Sequence, residues 1–314
     1  MNPDERPDWV QANPAAIEAS LQRALAKPSG GWFVVGDSRT FRSRRHRPCR
    51  WPVTVDGSDL VLWRPTPEGD LLGGPAACPH LGADLSTGQV LDGCLVCPWH
   101  GLRLTAAGHG HWRTVPVHDD GVLVWVQPDP TADDATPAPI IAPRPDVHLS
   151  GVIRRDATCE VADVIANRLD PWHGAHLHPY AFGHLRVVDP GEAHIDLRVS
   201  YRVVGSVTVD VTARFHVPES RTIVMTIIDG EGTGSVVETH ATPLVRAAPG
   251  RPPRTAVIEA TMATSDRHGF VHARRGAAVA RPLIRWAANR LWADDAAYAE
   301  RRYALRMSGW KPGS

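Results

Sequence analysis

The sequence is short of cysteine, carries no excess of either charge and has no long apolar run, and each shortage removes a class of function. Basic and acidic residues number 34 each among 314, so net charge gives no pull toward nucleic acid or an anionic membrane. No stretch approaches the ~20 apolar residues that a membrane helix needs. The opening MNPDERPDWV lacks the basic start and apolar stretch of a signal peptide, and a cytoplasmic location is the expectation. A G-x-G-x-x-G fingerprint for flavin or nicotinamide is missing, as is a four-cysteine ferredoxin module. Electrons drawn from a nicotinamide would therefore have to come through another polypeptide. The five cysteines are Cys49, Cys78, Cys94, Cys97 and Cys159. An odd count, with two of them three positions apart, argues against a disulfide scaffold and for metal ligands or free thiols. Histidine, the commonest metal ligand, is abundant at 16.

Ordinary apolar and charged fractions, 43% and 22%, suit a globular chain long enough for two modest domains. Ile17, Leu21 and Leu25 are four apart and predict a short amphipathic helix over 14–26, inside an N-terminal segment 1–29. Strand-like runs at 32–35, 53–55, 60–63 and 122–126, separated by Gly/Pro/Asp turns, predict a small all-β module over 30–130. Cys94 reads as a buried thiol on one of its strands. A proline-rich, pattern-poor linker covers 131–146. The second domain, 147–314, opens on alternating strands at 194–203 and 207–217, with others expected at 221–229, 235–242 and 255–263. A mainly helical tail follows from about 271 to 307, with Pro282 starting or kinking a segment. The class is α+β.

Two arms, Cys78-Pro79-His80 and Cys97-Pro98-Trp99-His100, stand sixteen residues apart. Each offers one thiolate and one imidazole, the ligand set of a Rieske 2Fe-2S cluster. A mixed Cys/His zinc site and unliganded loop residues are the alternatives. With its flanking residues from Leu60 to Leu104, the segment resembles the Rieske domain of ring-hydroxylating and related oxygenases. Respiratory Rieske proteins carry two further cysteines joined as a disulfide. Ala83 and Trp99 stand at those positions here, which favours the oxygenase type.

The stretch 167–178 contains N-x-x-D-x-x-H-x-x-x-x-H on Asn167, Asp170, His173 and His178. Two histidines and a carboxylate on one face, with positions left open, make a non-heme ferrous site that activates oxygen. On a regular helix residues five apart diverge by ~140°, so His176 is the simple partner of His173. His178 converges only if the helix breaks, for which Gly174 and Pro179 are the candidates. The segment resembles the iron-binding helix of Rieske oxygenases. That resemblance implies His173 and His178 as ligands, with Asp170 accepting hydrogen bonds from His173 and from a neighbouring subunit's His100. It aligns Asp295, or alternatively Asp294, of the late segment 291–302 with the third ligand, as in steroid-hydroxylating members.

The resemblance covers roughly residues 30 to 300. It implies a Rieske β domain, a helix-grip (START-like) catalytic domain, a mononuclear Fe(II), a homotrimer, and a separate NAD(P)H-dependent reductase or ferredoxin as electron donor. The reaction it implies is insertion of oxygen from O2 into an organic substrate. Phe182, Trp286 and Trp292 are compatible with an apolar ring compound, although core packing explains them equally. A Rieske-ferredoxin-type electron carrier and a degenerate ligand-binding homologue are the competing functions. The arginine-rich run 39–50 is either a solvated loop or a docking site for an acidic electron donor.

Overall fold

The computed structural model describes residues 7–42, 49–204 and 207–311. It separates into two compact units, residues 29–140 with 242–254, and residues 1–28 with 141–241 and 255–314. Inclusion of 242–254 in the first unit rests on contacts such as Thr242 Oγ1 to the carbonyl of Val34, 2.7 Å; nothing local in the sequence announces it.

The first unit contains three small antiparallel sheets. Their strands are β1 (Phe33–Asp37), β2 (Arg50–Val55), β3 (Ser58–Trp63), β4 (Leu72–Pro75), β5 (Gln89–Leu91), β6 (Cys94–Val96), β7 (Arg103–Leu104), β8 (Val117–Asp119) and β9 (Leu123–Val126). Two hairpins share one turn chemistry. Asp56-Gly57 joins β2 to β3 and Asp92-Gly93 joins β5 to β6, with all four residues at positive φ, as a tight two-residue hairpin requires. Val61, Trp63, Leu85, Leu95, Leu104 and Trp112 form a buried cluster that also takes in Cys78 and Cys97. The arginine-rich run lies partly outside the described residues, since 43–48, with Arg44 and Arg45, are among those not described.

The second unit contains α1 (Asp8–Gln11), α2 (Pro14–Leu25), β10 (Leu149–Ala157), α3 (Val161–Arg168), α4 (His173–Leu177), β11 (Phe182–Asp189), β12 (His194–Val204), β13 (Val207–Glu219), β14 (Thr222–Gly230), β15 (Val236–Val245), β16 (Arg254–Ala263), α5 (Phe270–Arg275) and α6 (Ala277–Met307). The strands form one sheet in the order β10-β16-β15-β14-β13-β12-β11. Alternation along β12 and β13 points Leu197, Val199, Val211 and Ala213 inward and leaves arginines and aspartates on the other face. Ala288, Trp292, Asp295, Ala296 and Ala299 make one buried stripe on α6 at helical spacing. It packs in the same core as Ile153, Ile223 and Val257 of the sheet and Leu21 of α2. Asn13 caps α2 and Pro14 opens it.

Two expectations for this unit are narrowed. Pro282 lies inside α6, not at its start, and the break in the tail falls at Gly276, between α5 and α6. A proline there costs one helical hydrogen bond, and the packing of Ile284 against Gly151 of β10 holds the segment in place. Trp292 is fully buried core, which is the packing alternative, and Trp286 is 62% exposed.

Arg144 grips the buried Glu238 with two 2.6 Å hydrogen bonds, and His240 approaches the same carboxylate at 3.2 Å. Burial alone would raise the Glu238 pKa; His240 and Arg144 outweigh it and bring the pKa down to about 2. Because the folded value is depressed below the ordinary 4.5, the pair stabilises above that pH. The contribution, about 3 kcal/mol at ~1.4 kcal/mol per pKa unit, should be lost as pH falls from 4.5 toward 2. Glu238→Gln is expected to cost about 3 kcal/mol at pH 7 by removing the buried carboxylate charge that Arg144 and His240 bind. Urea melts of both proteins at neutral and acid pH check this, since the gap between them should close in acid.

Candidate metal centres

The two cysteine arms fold into matching loops. In each, the cysteine N–H donates to the carbonyl five residues on, Cys78 to Ala83 and Cys97 to Leu102, both at 2.9 Å. The glycine four residues on donates back, Gly82 to Cys78 at 2.9 Å and Gly101 to Cys97 at 3.1 Å. Both glycines have positive φ, 77° and 70°, which an L side chain rarely adopts. Each loop thereby aims two backbone amides at its own sulfur, those of His80 and Leu81 at Cys78 and those of Trp99 and His100 at Cys97. Burial raises the Cys78 thiol. It acts the same way on Cys97, but there the amides prevail and the thiol is lowered.

Both cysteines are buried, while His80 and His100 are exposed with ring centroids 4.9 Å apart. This donor set fits a two-iron cluster, with the inner iron on thiolates in the core and the outer one on imidazoles at the surface. It does not fit one zinc ion, whose bonds of ~2.0–2.3 Å require all ligand atoms to converge on a single point. Among the described residues, the groups whose ligand atoms lie within 4.8 Å of one another are two others, His173-His178-Asp295 and Asp189-His194-Asp196. The latter is partly exposed, and Arg214 already clamps Asp196 at 2.8 and 2.7 Å.

In the first of these groups the elements converge for local reasons. Helix α4 ends at Leu177, and His178 leaves helical geometry with φ −122° and ψ 53°. Pro179 is the physical cause, because the residue before a proline is driven out of the α region. Gly174 has a different role from the break expected of it. A Cβ there would meet Leu185 of β11 at 3.0 Å, so glycine allows α4 to approach the sheet. His178 is 2% exposed and its Nε2 lies 3.0 Å from Asp295 Oδ1; His173 Nε2 lies 3.1 Å from the same oxygen. His176, the simple helical partner, points outward to Asp8 Oδ2 at 2.8 Å.

Asp295 and Asp294 divide their work by helix face. Asp295 is buried, and Asn167 Nδ2 also donates to its Oδ1 at 3.1 Å. Burial opposes ionisation of Asp295, but His173 and His178 hold its pKa well below the carboxylate range. Asp294 accepts from the Tyr180 hydroxyl at 2.6 Å and faces the far nitrogen of His178, Nδ1, at 3.4 Å. Burial likewise disfavours the His173 imidazolium, yet Asp170 and Asp295 lift its pKa to about 9. A cation seated among these groups would take the place of imidazole protons directed at Asp295 Oδ1, while the Asn167 amide would keep its hydrogen bond.

Asp170 sits 3.8 Å from His173 Nδ1, beyond hydrogen-bonding reach, and its Oδ2 accepts from Tyr298 at 3.1 Å. Its Oδ1 and His173 Nδ1 are buried without partners. The sequence reading missed Tyr180, Tyr298 and the buried Glu259, which accepts from Trp292 at 2.6 Å. Tyr298, three residues after Asp295, was accessible from helical spacing; Glu259 required the β16 register.

The chain thus combines paired Cys/His loops of the Rieske donor pattern with a seven-stranded sheet packed on a long helix, α6, whose Asp295 meets two histidines. The chain belongs to the family described as Domain of unknown function (DUF5914), which matches residues 130–310, and the Rieske [2Fe-2S] domain family matches residues 31–127. The 4beta-methylsterol monooxygenase of Methylococcus capsulatus is 30% identical over 138 residues, 38% of this chain and 36% of that protein. The oxygenase component of dicamba O-demethylase from Stenotrophomonas maltophilia is 29% identical over 40% of this chain and 41% of its own. These matches thus span well under half of the relatives' length. In fold, dicamba monooxygenase bound to dicamba covers 92% of this chain and 93% of its own at TM-score 0.65 and 19% identity. The terminal oxygenase of carbazole 1,9a-dioxygenase from Novosphingobium sp. KA1 covers 98% of this chain and 92% of its own at TM-score 0.61 and 13% identity.

Proposed function

We propose that this chain is the oxygenase component of a multicomponent Rieske system that oxygenates an apolar organic substrate. The observation that carries the reading is the convergence of His173, His178 and Asp295 in a chain that also carries the paired Rieske loops. An electron carrier of ferredoxin type would have no use for that group. Cys78, His80, Cys97 and His100 would hold the cluster, and His173, His178 and Asp295 a ferrous ion. When bound, the cluster supplies single electrons and the ferrous site supplies activation of O2.

The chain's own residues do the positioning. Asn167 fixes Asp295 through the amide hydrogen bond. Asp294 and Tyr180 orient His178 from its outer nitrogen. Asp170 is set to orient His173, and Tyr298 holds it there. In a homotrimer built head to tail, a contact that closes as a ring, the neighbouring subunit's His100 would approach Asp170, whose Oδ2 already accepts from Tyr298. Electrons would come from a separate reductase or ferredoxin. Relatives named for methylsterol, ketosteroid and dicamba support an apolar ring compound as substrate. NADH-driven oxygen uptake with a surrogate reductase and a panel of such compounds, followed by mass analysis of products, tests the function; uptake without any oxygenated product would count against it.

Asp170→Asn keeps size but removes charge. Losing a carboxylate that orients a metal-bound histidine typically costs 10–100-fold, and the cluster link would be lost with it. The expected outcome is normal iron content, a normally reducible cluster and transfer to the iron slowed by about 100-fold. Single-turnover stopped-flow, following cluster reoxidation with O2 and substrate, checks this; wild-type rates would remove the bridging role.

A further inference from the structure

Three arginines of the second unit converge on one cleft that no acid lines. Its walls are His148 and Leu149, where β10 begins, Val271, Arg274 and Arg275 of α5, and Arg281 of α6, around a cavity of about 350 Å³. Between Asp266 and Asp294 the chain has six arginines, two histidines and no acid, although the whole sequence is neutral. Arg267 pairs with Glu231, and Arg290 lies 3.8 Å over the Tyr180 ring. Arg274, Arg275 and Arg281 make no ion pair among the described residues. Arg281 Nε is buried without a hydrogen-bond partner.

Helical spacing explains how Arg281 comes to be there. It stands on the line of α6 that continues through Arg285, Ala288, Trp292 and Ala299, the side turned to the sheet. Toward the carboxyl end that line is apolar core; at its amino end it changes to arginine. Arg285 lays its stem over Gly151 of β10, as long cationic side chains do. The break at Gly276 lets Arg274 and Arg275 share the cleft with Arg281. Like charges gathered this way repel one another, and the amino end of the 31-residue α6 adds positive potential nearby. A bound anion relieves both.

We propose that this cleft binds a small organic phosphate, at a site separate from the metal centres. Arginine forks take oxyanion oxygens two at a time. Three of them suit a group with several charged oxygens better than a single carboxylate. A cavity of about 350 Å³ is of small-molecule size, and Leu149 and Val271 give the organic part an apolar wall. Arg281 precedes Asp295 by fourteen positions, ~21 Å of helix, so the site lies away from the iron ligands. A lipid surface does not fit it. The exposed Leu283 and Trp286 lie on the opposite side of α6, and a flat membrane meets one side only.

Calorimetric titration of the iron-loaded protein at low salt tests the site, with phenyl phosphate as probe and benzoate and inorganic phosphate as controls. Phenyl phosphate should fill one site per chain, and each control should bind at least about tenfold more weakly. Losing one charge-assisted contact should weaken phenyl phosphate at least about tenfold, in Arg275→Gln and in Arg281→Gln alike. Cluster absorption and iron content should not change. Arg275 is exposed on α5, so that variant keeps the test valid if Arg281→Gln fails to fold. Raised salt should weaken binding steeply. The proposal is overturned if phenyl phosphate shows no saturable site, if it binds both folded variants as well as wild type, or if benzoate binds as tightly. It is equally overturned if the protein sediments with phosphatidylglycerol vesicles while ignoring phenyl phosphate. Oxygen uptake is measured separately, so failure here leaves the oxygenase reading standing.

Discussion

Asp295→Ala should leave the Rieske absorption intact and remove the mononuclear iron, taking oxygenation with it. The carboxylate is 2% exposed and its Oδ1 is where His173, His178 and Asn167 all point. Removing it leaves the Nε2 atoms of the two imidazoles with no carboxylate between them, and two neutral nitrogens bind a ferrous ion far more weakly than a facial triad does. Turnover should fall by more than about 1000-fold, well beyond the ~10–100-fold typical of a residue that only orients a ligand. Asp294→Ala should show that smaller loss, because Asp294 touches Tyr180 and the outer side of His178. Iron analysis and oxygen uptake on the two variants separate the adjacent acids. Full turnover in Asp295→Ala with loss in Asp294→Ala would reverse the assignment.

Cys97→Ser should abolish the cluster. Cys97 is buried in the apolar core of the first unit, with two loop amides directed at its sulfur. A serine hydroxyl in that place stays neutral and is a poor iron ligand, so the pair of loops loses one of its two anionic anchors. The visible absorption and the electron-spin signal of the reduced cluster should vanish, and product formation with them. Ferrous ion at the second site should persist, since its ligands belong to the other unit. A purified Cys97→Ser protein with a full cluster signal would overturn the ligand set.

How legible these centres were depended on how local their causes are. The paired Cys/His loops were readable because the candidate ligands, turn glycines and amides all lie within a few residues of each cysteine. The alternating strands β12 and β13 were readable because one face is buried and the other wet. His178 against His176 hung on Pro179, a one-residue effect that fixed helical geometry does not capture. Asp295 against Asp294 depended on the rotation of α6, which packing of Trp292 and Ala299 sets and no local motif records. The strand β10, the helix α3 and the excursion of 242–254 into the first unit rest on partners far away in sequence. Trp286 and Trp292 show the same limit: six residues apart on one helix, one is solvent-facing and the other is core.

The central claim, that one chain carries two distinct iron centres, is tested most directly by counting. Purified protein, reconstituted anaerobically with iron and sulfide and then desalted, should hold about three irons and about two acid-labile sulfides per chain. The excess iron should disappear in Asp295→Ala while the sulfide remains. A wild-type ratio of about two irons to two sulfides under the same treatment would mean that His173, His178 and Asp295 hold no iron, and would contradict the account.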